Sequence, residues 1–185
     1  MKENKIIASH LHIPLQSGSN KILKLMNRRY NKEYFINRVE EIRRVRDDIS
    51  ITTDLIVGFP NEGEEEFNET MDTLKKIGFM HIHTFPYSKR DGTKAAVMDN
   101  QVDGNIKKER VKKAIKLSNQ MEEEYYKNSI GKIYEGVTEV RHDGKVIVHT
   151  SNFIPVILNS KVDNNEIVKV KITDIDKLNV YGEII

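Results

Sequence analysis

The chain changes character near Gly131, and that change limits its fold more than any other feature of its 185 residues. Before it, β-branched runs alternate with amphipathic helical stretches. After it, Lys132–Val140, Lys145–Thr150, Phe153–Leu158, Ile167–Thr173 and Leu178–Ile185 are all short β-rich segments. Strand–helix–strand–helix order predicts parallel strands with right-handed crossovers, in a barrel or an open sheet. Five short strands in about 55 residues predict a small closed barrel. The chain is therefore read as an α/β unit over residues 1–129 and an all-β unit over residues 130–185.

Ile6–Leu15 reads as a strand, ended by Gln16-Ser17-Gly18. Ser19 is placed to cap a short helix carrying Ile22, Leu23 and Met26, its hydroxyl accepting a free backbone N–H. Phe35, Val39, Ile42 and Val45 fall on one face of a longer helix. Ile51–Val57 is apolar on both faces, the pattern of a strand covered on both sides by helices. Phe67, Met71, Leu74 and Ile77 mark the next helix, with Gly78 placed to end it. Met80–Tyr87 is a third strand. Val111, Ala114, Ser118, Met121 and Tyr125 mark one face of a long final helix. His142-Asp143-Gly144 is suited to a hairpin turn.

A formal charge of +2 does not by itself imply a nucleic-acid partner. Its distribution is uneven: Lys21 to Arg46 is strongly basic and Glu62 to Asp72 almost wholly acidic. That asymmetry suits either a basic face toward a polyanion or solvated helix surfaces. The basic run on the long helix, Lys107, Lys108, Arg110, Lys112, Lys113 and Lys116, reads as a solvated face. No apolar run is long enough to span a membrane, and Met1–Lys5 lacks a signal-peptide core, so a cytoplasmic location is expected. Cysteine is absent, which removes disulfides, thiolate metal ligands and a cysteine nucleophile.

Loops that follow the strands of a parallel sheet share one rim, where ligands bind. Here they are Gln16–Ser19, Gly58–Glu62 and Tyr87–Thr93, each combining glycine with polar groups. Asp54, inside an apolar strand, requires a partner, on the protein or on a ligand such as a ribose or an amine. His10-x-His12 and His81-x-His83 each present two imidazoles to one side of a strand. Both pairs lie before the rim and lack an acidic companion in their strands, so packed or hydrogen-bonded histidines are expected and no metal site. No nucleophile elbow or phosphate loop is present.

Four blocks carry a family resemblance: HLHIPLQSGS (His10–Ser19) with LKLMNRRY (Leu23–Tyr30), TTDLIVGFP (Thr52–Pro60) with EEEF (Glu64–Phe67), FPYSKRDGTKAA (Phe85–Ala96), and KKERVKKAIKLS (Lys107–Ser118). In this order they resemble the radical S-adenosylmethionine tRNA methylthiotransferases. GKIYEGVTEV (Gly131–Val140) and HTSNFIPV (His149–Val156) resemble the TRAM module, a small RNA-binding β-barrel. The wording of HLHIPLQSGS and FPYSKRDGT resembles the branch acting on threonylcarbamoyladenosine next to the anticodon. The isopentenyladenosine branch tends to read HLPVQSGS in the first block.

The resemblance implies the second half of a partial (β/α) TIM-type barrel followed by a TRAM barrel. It places S-adenosylmethionine across the strand ends, with Gln16, Ser17 and Ser19 toward its methionine and ribose. Asp54, Gly58, Pro60 and Glu62 then lie along the adenosine, Tyr87 and Ser88 near the adenine, and Arg28 at a carboxylate or phosphate. In the family a first iron–sulfur cluster cleaves S-adenosylmethionine to a radical, a second cluster region supplies sulfur, and another S-adenosylmethionine supplies the methyl group. The cluster cysteines have no counterpart here, which implies a fragment lacking the N-terminal half, inactive alone, with a bare strand edge near Ile6–Pro14 that favours association. Two stretches depart from the family wording: Gly58-Phe59-Pro60-Asn61-Glu62-Gly63, where GFPGET is usual, and Asp91, where proline is usual. Two other readings remain open: a stand-alone RNA-binding protein without catalysis, and a (β/α) hydrolase using the histidine pairs.

Overall fold

The structure, a computed structural model, describes residues 7–141 and 145–185. The expected hairpin turn at His142-Asp143-Gly144, and Ile6, lie outside the described residues. The chain divides into two compact units. One comprises His12–Asp47 and Ile51–Ser118; the other joins Asn119–Ile185 to Asp48–Ser50 and the described residues up to Leu11.

The α/β unit is built on a three-stranded sheet of order β1-β2-β3. Its strands are β1 (His10–His12), β2 (Ser50–Val57) and β3 (His81–Pro86). β2 and β3 are parallel, with Thr52 opposite His81 and Val57 opposite Pro86. The helices are α1 (Asn20–Leu25), α2 (Lys32–Val45), α3 (Glu64–Ile77) and α4 (Gly104–Lys127). Leu55 and Val57 are fully buried, in a core that includes Phe35, Val39, Phe67, Leu74 and Phe79. Each such burial contributes roughly 1.5–3 kcal/mol of hydrophobic stabilisation.

Several expectations are corrected here. The first strand is three residues long, and beyond Ile13 its regular ladder with β2 is replaced by side-chain bonds. The Thr53 hydroxyl stands in, accepting the Leu15 N–H at 2.8 Å and donating to the Ile13 carbonyl at 2.8 Å. β2 is not covered on both faces: Leu55 and Val57 are buried, whereas Asp54 and Ile56 look out on an open side. Val45, at the last turn of α2, is 45% exposed, and burial there falls on Phe35, Ile36 and Val39. Gly78 ends α3 as expected, in the left-handed conformation at φ 67°.

The second unit contains a closed barrel of order β4-β5-β6-β8-β7. Its strands are β4 (Ile133–Val140), β5 (Val146–Thr150), β6 (Pro155–Leu158), β7 (Ile167–Asp176) and β8 (Asn179–Ile184). β6 and β8 pair in parallel and the other neighbours are antiparallel. Val148, Ile154, Val156, Val170, Ile172 and Val180 are fully buried and fill it. So small a barrel crowds its strands: a Cβ on Gly136 would lie 2.6 Å from the His149 carbonyl oxygen. The compact units divide within α4, whose final turns carry Tyr126, 2% exposed, and Tyr125, whose hydroxyl accepts from Asn152 at 3.0 Å.

Candidate functional site

The open side of the sheet bears a cleft of about 750 Å³ within the α/β unit. Its wall has three origins, each following a strand. The first is the turn after β1. Ser17 N–H donates to the Leu15 carbonyl at 2.9 Å, and Gln16 between them sits at φ 69°, a γ-turn that stores strain. Gln16 is anchored on both sides of β2, its N–H donating to the Asp54 carbonyl and its carbonyl accepting the Ile56 N–H, each at 2.9 Å. Gly18 then docks on α3, where a Cβ would lie 2.7 Å from the Thr73 Cβ. Glycine serves close approach at this position, and Gln16 supplies the unusual turn.

The second origin is the loop after β2. The Glu62 carboxylate turns back to accept the Gly58 N–H at 2.7 Å and Arg110 Nη1 at 2.8 Å. Arg110 Nη1 also donates to the Glu62 carbonyl at 2.8 Å. The Glu62 and Arg110 side chains are only 1% and 6% exposed, so this pair lies inside the protein. Burial pushes the Glu62 carboxyl up, against the opposing pull of the Gly58 N–H and Arg110. Gly58 sits at φ 73° with the Lys107 stem packed where a side chain would be. The loop thereby presents Phe59 to the cleft.

The third origin is the end of β3. Tyr87 meets Phe59 edge to face, with ring centroids 5.1 Å apart. Lys107 Nζ donates to the Tyr87 carbonyl at 3.1 Å and lies 5.1 Å from its ring centroid. The Tyr87 hydroxyl is buried and has no hydrogen-bond partner among the described residues. A buried hydroxyl left without a partner costs about 1–3 kcal/mol. Arg90, Thr93 and Lys94 extend this wall.

Asp54 finds a partner on the protein: His12 Nε2 lies 3.3 Å from its carboxylate, and His12 Nδ1 meets the Thr52 hydroxyl at 3.0 Å. The Asp54 side chain still keeps 31% exposure and lines the cleft. His83 stands opposite Asp54 in the sheet, its ring 5.7 Å from His12 and 4.6 Å from His81. In the other unit His10 bonds the Ser50 hydroxyl at 2.9 Å and stacks on Phe153 at 4.5 Å. Among the described residues no group of three or more His, Cys, Asp or Glu is arranged to hold a metal ion.

Of the ten residues assigned from the sequence, the structure brings Gln16, Arg28, Asp54, Tyr87 and Ser88 to the cleft wall. Gly58, Pro60 and Glu62 are buried in the loop beneath it. Ser17 is fully buried, its hydroxyl 3.3 Å from that of Thr70 and 3.2 Å from the Ser19 N–H it accepts. Ser19 occupies the N-cap of α1, but its hydroxyl makes no cap bond and is buried without a partner among the described residues, correcting the expected cap. The sequence reading missed the apolar wall, Ile56, Phe59, Phe85, Met26 and Met98, because it looked for polar groups. It also took Lys107 and Arg110 for solvated charges, and both turn inward.

Residues 1–74 match the Radical SAM superfamily. A threonylcarbamoyladenosine tRNA methylthiotransferase of Bacillus subtilis is 44% identical over 172 residues, which is 90% of this chain and 38% of that protein. A tRNA-2-methylthio-N(6)-dimethylallyladenosine synthase of Acetivibrio thermocellus is 46% identical over 139 residues, 75% of this chain and 29% of that protein. A second such synthase, from a Thermoanaerobacter species, is 40% identical across 100% of this chain and 40% of its own length. The chain thus spans about two fifths or less of the curated relatives it matches. By class it is a radical S-adenosylmethionine protein. Within that class the chain belongs to the tRNA methylthiotransferase family, a family of enzymes.

Proposed function

We propose that the cleft binds S-adenosylmethionine and that these residues form part of a tRNA methylthiotransferase. The observation that carries this reading is a strand-end cleft with an aromatic wall and charged side chains along its flank. Its volume lies within the roughly 300–1,000 Å³ usual for sites of small ligands. The residues suit the cofactor's parts. Phe59, Ile56 and Phe85 offer surface to an adenine, Asp54 an acceptor to a ribose or an amine, and Arg28 a donor fork to a carboxylate. Once bound, S-adenosylmethionine would supply the methyl group and the source of the radical. The chain's own residues bind and orient it.

An iron–sulfur cluster does not fit these residues, because the 185-residue sequence has no cysteine to furnish a thiolate. On this reading residues 1–129 act as the second half of a TIM-type barrel, residues 130–185 as a TRAM barrel that grips tRNA, and the cluster ligands reside elsewhere. The 185 residues alone then make no radical. The substrate we assign is threonylcarbamoyladenosine next to the anticodon of tRNA in the cytoplasm, supported by the wording of His10–Ser19 and Phe85–Thr93 and by the Bacillus relative. The dimethylallyladenosine, or isopentenyladenosine, branch is the second reading, favoured by the 46% identity of the Acetivibrio protein.

Calorimetric titration of the chain with S-adenosylmethionine tests the cleft. Saturable binding that weakens about tenfold or more in Asp54→Ala is expected, from roughly 1.5 kcal/mol for one hydrogen bond to a charged group. No binding, with RNA affinity retained, would leave a non-catalytic RNA-binding protein. Mass spectrometry of tRNA nucleosides after deletion of the coding gene separates the two branches by which methylthio nucleoside disappears.

A further inference from the structure

Beside the cleft runs a second groove, of about 700 Å³, lined by Lys21, Lys24, Asn27, Asn61 and Lys94. It shares Leu25, Asn27, Lys94 and Met98 with the cleft wall, so the two form neighbouring compartments of one unit. We infer that this groove seats the phosphodiester backbone of the RNA whose base enters the cleft; the inference rests on the RNA-modifying reading above.

Charge is the first argument. Residues 20–30 hold Lys21, Lys24, Arg28 and Arg29 with no acid, and residues 88–98 hold Lys89, Arg90 and Lys94 against Asp91 alone. Residues 130–185, by contrast, carry seven Lys and Arg against eight Asp and Glu. Affinity for a polyanion comes largely from cations that displace its counterions, so the barrel is a weak source of it and the rim a strong one.

Pairing is the second argument. Elsewhere on the α/β unit several surface cations are matched to carboxylates on the same helix or the next: Arg38 with Glu41, Arg44 with Glu40, Lys75 with Asp72, Lys112 with Glu109, and Lys32 with Glu69. Lys76, Lys108 and Lys116 stand singly on the helices, with no ion pair among the described residues. Lys24, Arg28, Arg29, Lys89, Arg90 and Lys94 are exposed and make no ion pair among the described residues. Lys21 does pair, with Glu66 at 2.6 Å, which holds its ammonium at the groove wall. Asp99 lies in the adjoining segment, and its backbone carbonyl accepts from Asn61 at 3.3 Å. The cations are thus concentrated where a flexible single strand must pass for one of its bases to reach the cleft.

The test uses the 185-residue chain and a fluorescent anticodon stem-loop, with affinity followed against salt concentration. Lys21→Gln/Lys24→Gln removes two groove charges that do not line the cleft, and Lys169→Gln/Lys171→Gln removes two from the barrel. The groove double variant should flatten the slope of log affinity against log salt by about 1.4, or 0.7 per lost contact to a single strand. It should bind S-adenosylmethionine as the parent does, which also reports an intact fold. An unchanged slope, or an equal change from the barrel variant, would overturn the inference while leaving the RNA-modifying reading in place. Failure of the parent chain to bind the stem-loop would overturn both.

Discussion

Replacing Arg110 with methionine would leave the Glu62 carboxylate buried with the Gly58 N–H as its remaining strong partner. Breaking a buried ion pair on one side costs about 3–5 kcal/mol. Here the cost has a ceiling, because Glu62 escapes by taking up a proton. Starting from an ordinary glutamate near 4.3, protonation at pH 7 costs about 3.7 kcal/mol, and at pH 5 only about 1 kcal/mol. Burial already pushes this carboxyl up in the parent protein, and loss of Arg110 pushes it further. A group whose folded value is raised lends its stability at low pH and loses it as pH rises, so the variant should approach the parent on acidification. Loss of the ion contact to the Phe67 ring adds up to about 1 kcal/mol at either pH. Urea denaturation at pH 7 and pH 5 measures the difference. We expect Arg110→Met to be less stable by roughly 4 kcal/mol at pH 7 and roughly 2 kcal/mol at pH 5. A penalty that stays the same at both pH values, or falls below about 1 kcal/mol at pH 7, would refute the argument that an uncompensated Glu62 charge sets the cost.

Two further outcomes follow from the same geometry. Glu66 is held below the usual carboxylate range, first by Lys21 and then by the Gly63 N–H. Its contribution is therefore present above the unfolded glutamate value of about 4.3 and lost as pH falls through the folded value; Glu66→Gln should blunt acid unfolding in that window, followed by circular dichroism. Gly136→Ala would press a methyl group onto the His149 carbonyl and destabilise the barrel by about 1–3 kcal/mol, whereas Gly104→Ala, with open space around it, should be tolerated; thermal melts compare them.

The architecture was legible because each element carried its own periodic signal. The five short strands of the barrel fell where the β-rich segments lie, and α3 ended at Gly78 as its spacing required. Misreadings arose where a tertiary contact decides. β1 is shorter than its apolar run because a threonine hydroxyl on another strand replaces the ladder bonds of Ile13 and Leu15, a substitution invisible in a linear chain. Arg110 and Lys107 looked solvated because their partners, Glu62 and the Tyr87 carbonyl, are 48 and 20 residues away. The site was half legible for a similar reason. Polar residues in strand-end loops announced Gln16, Asp54 and Tyr87, but the same rule drew in Glu62 and Ser17, whose polar atoms face inward to hold the loops. The aromatic and aliphatic wall gave no signal distinct from an ordinary core.

The position of Tyr87 in the cleft wall has a spectroscopic consequence. The chain has seven tyrosines and no tryptophan, so phenol chromophores dominate its near-ultraviolet absorption and emission, unmasked by indole. A phenol whose surroundings change from water to a packed ligand shifts its absorption band, and Tyr87 stands in the cleft wall with its hydroxyl shielded. If the cleft binds its cofactor as proposed, Tyr87 would serve as an optical reporter of occupancy. A difference spectrum recorded as ligand is added, and again on Tyr87→Phe, would read the filling of the cleft without a label.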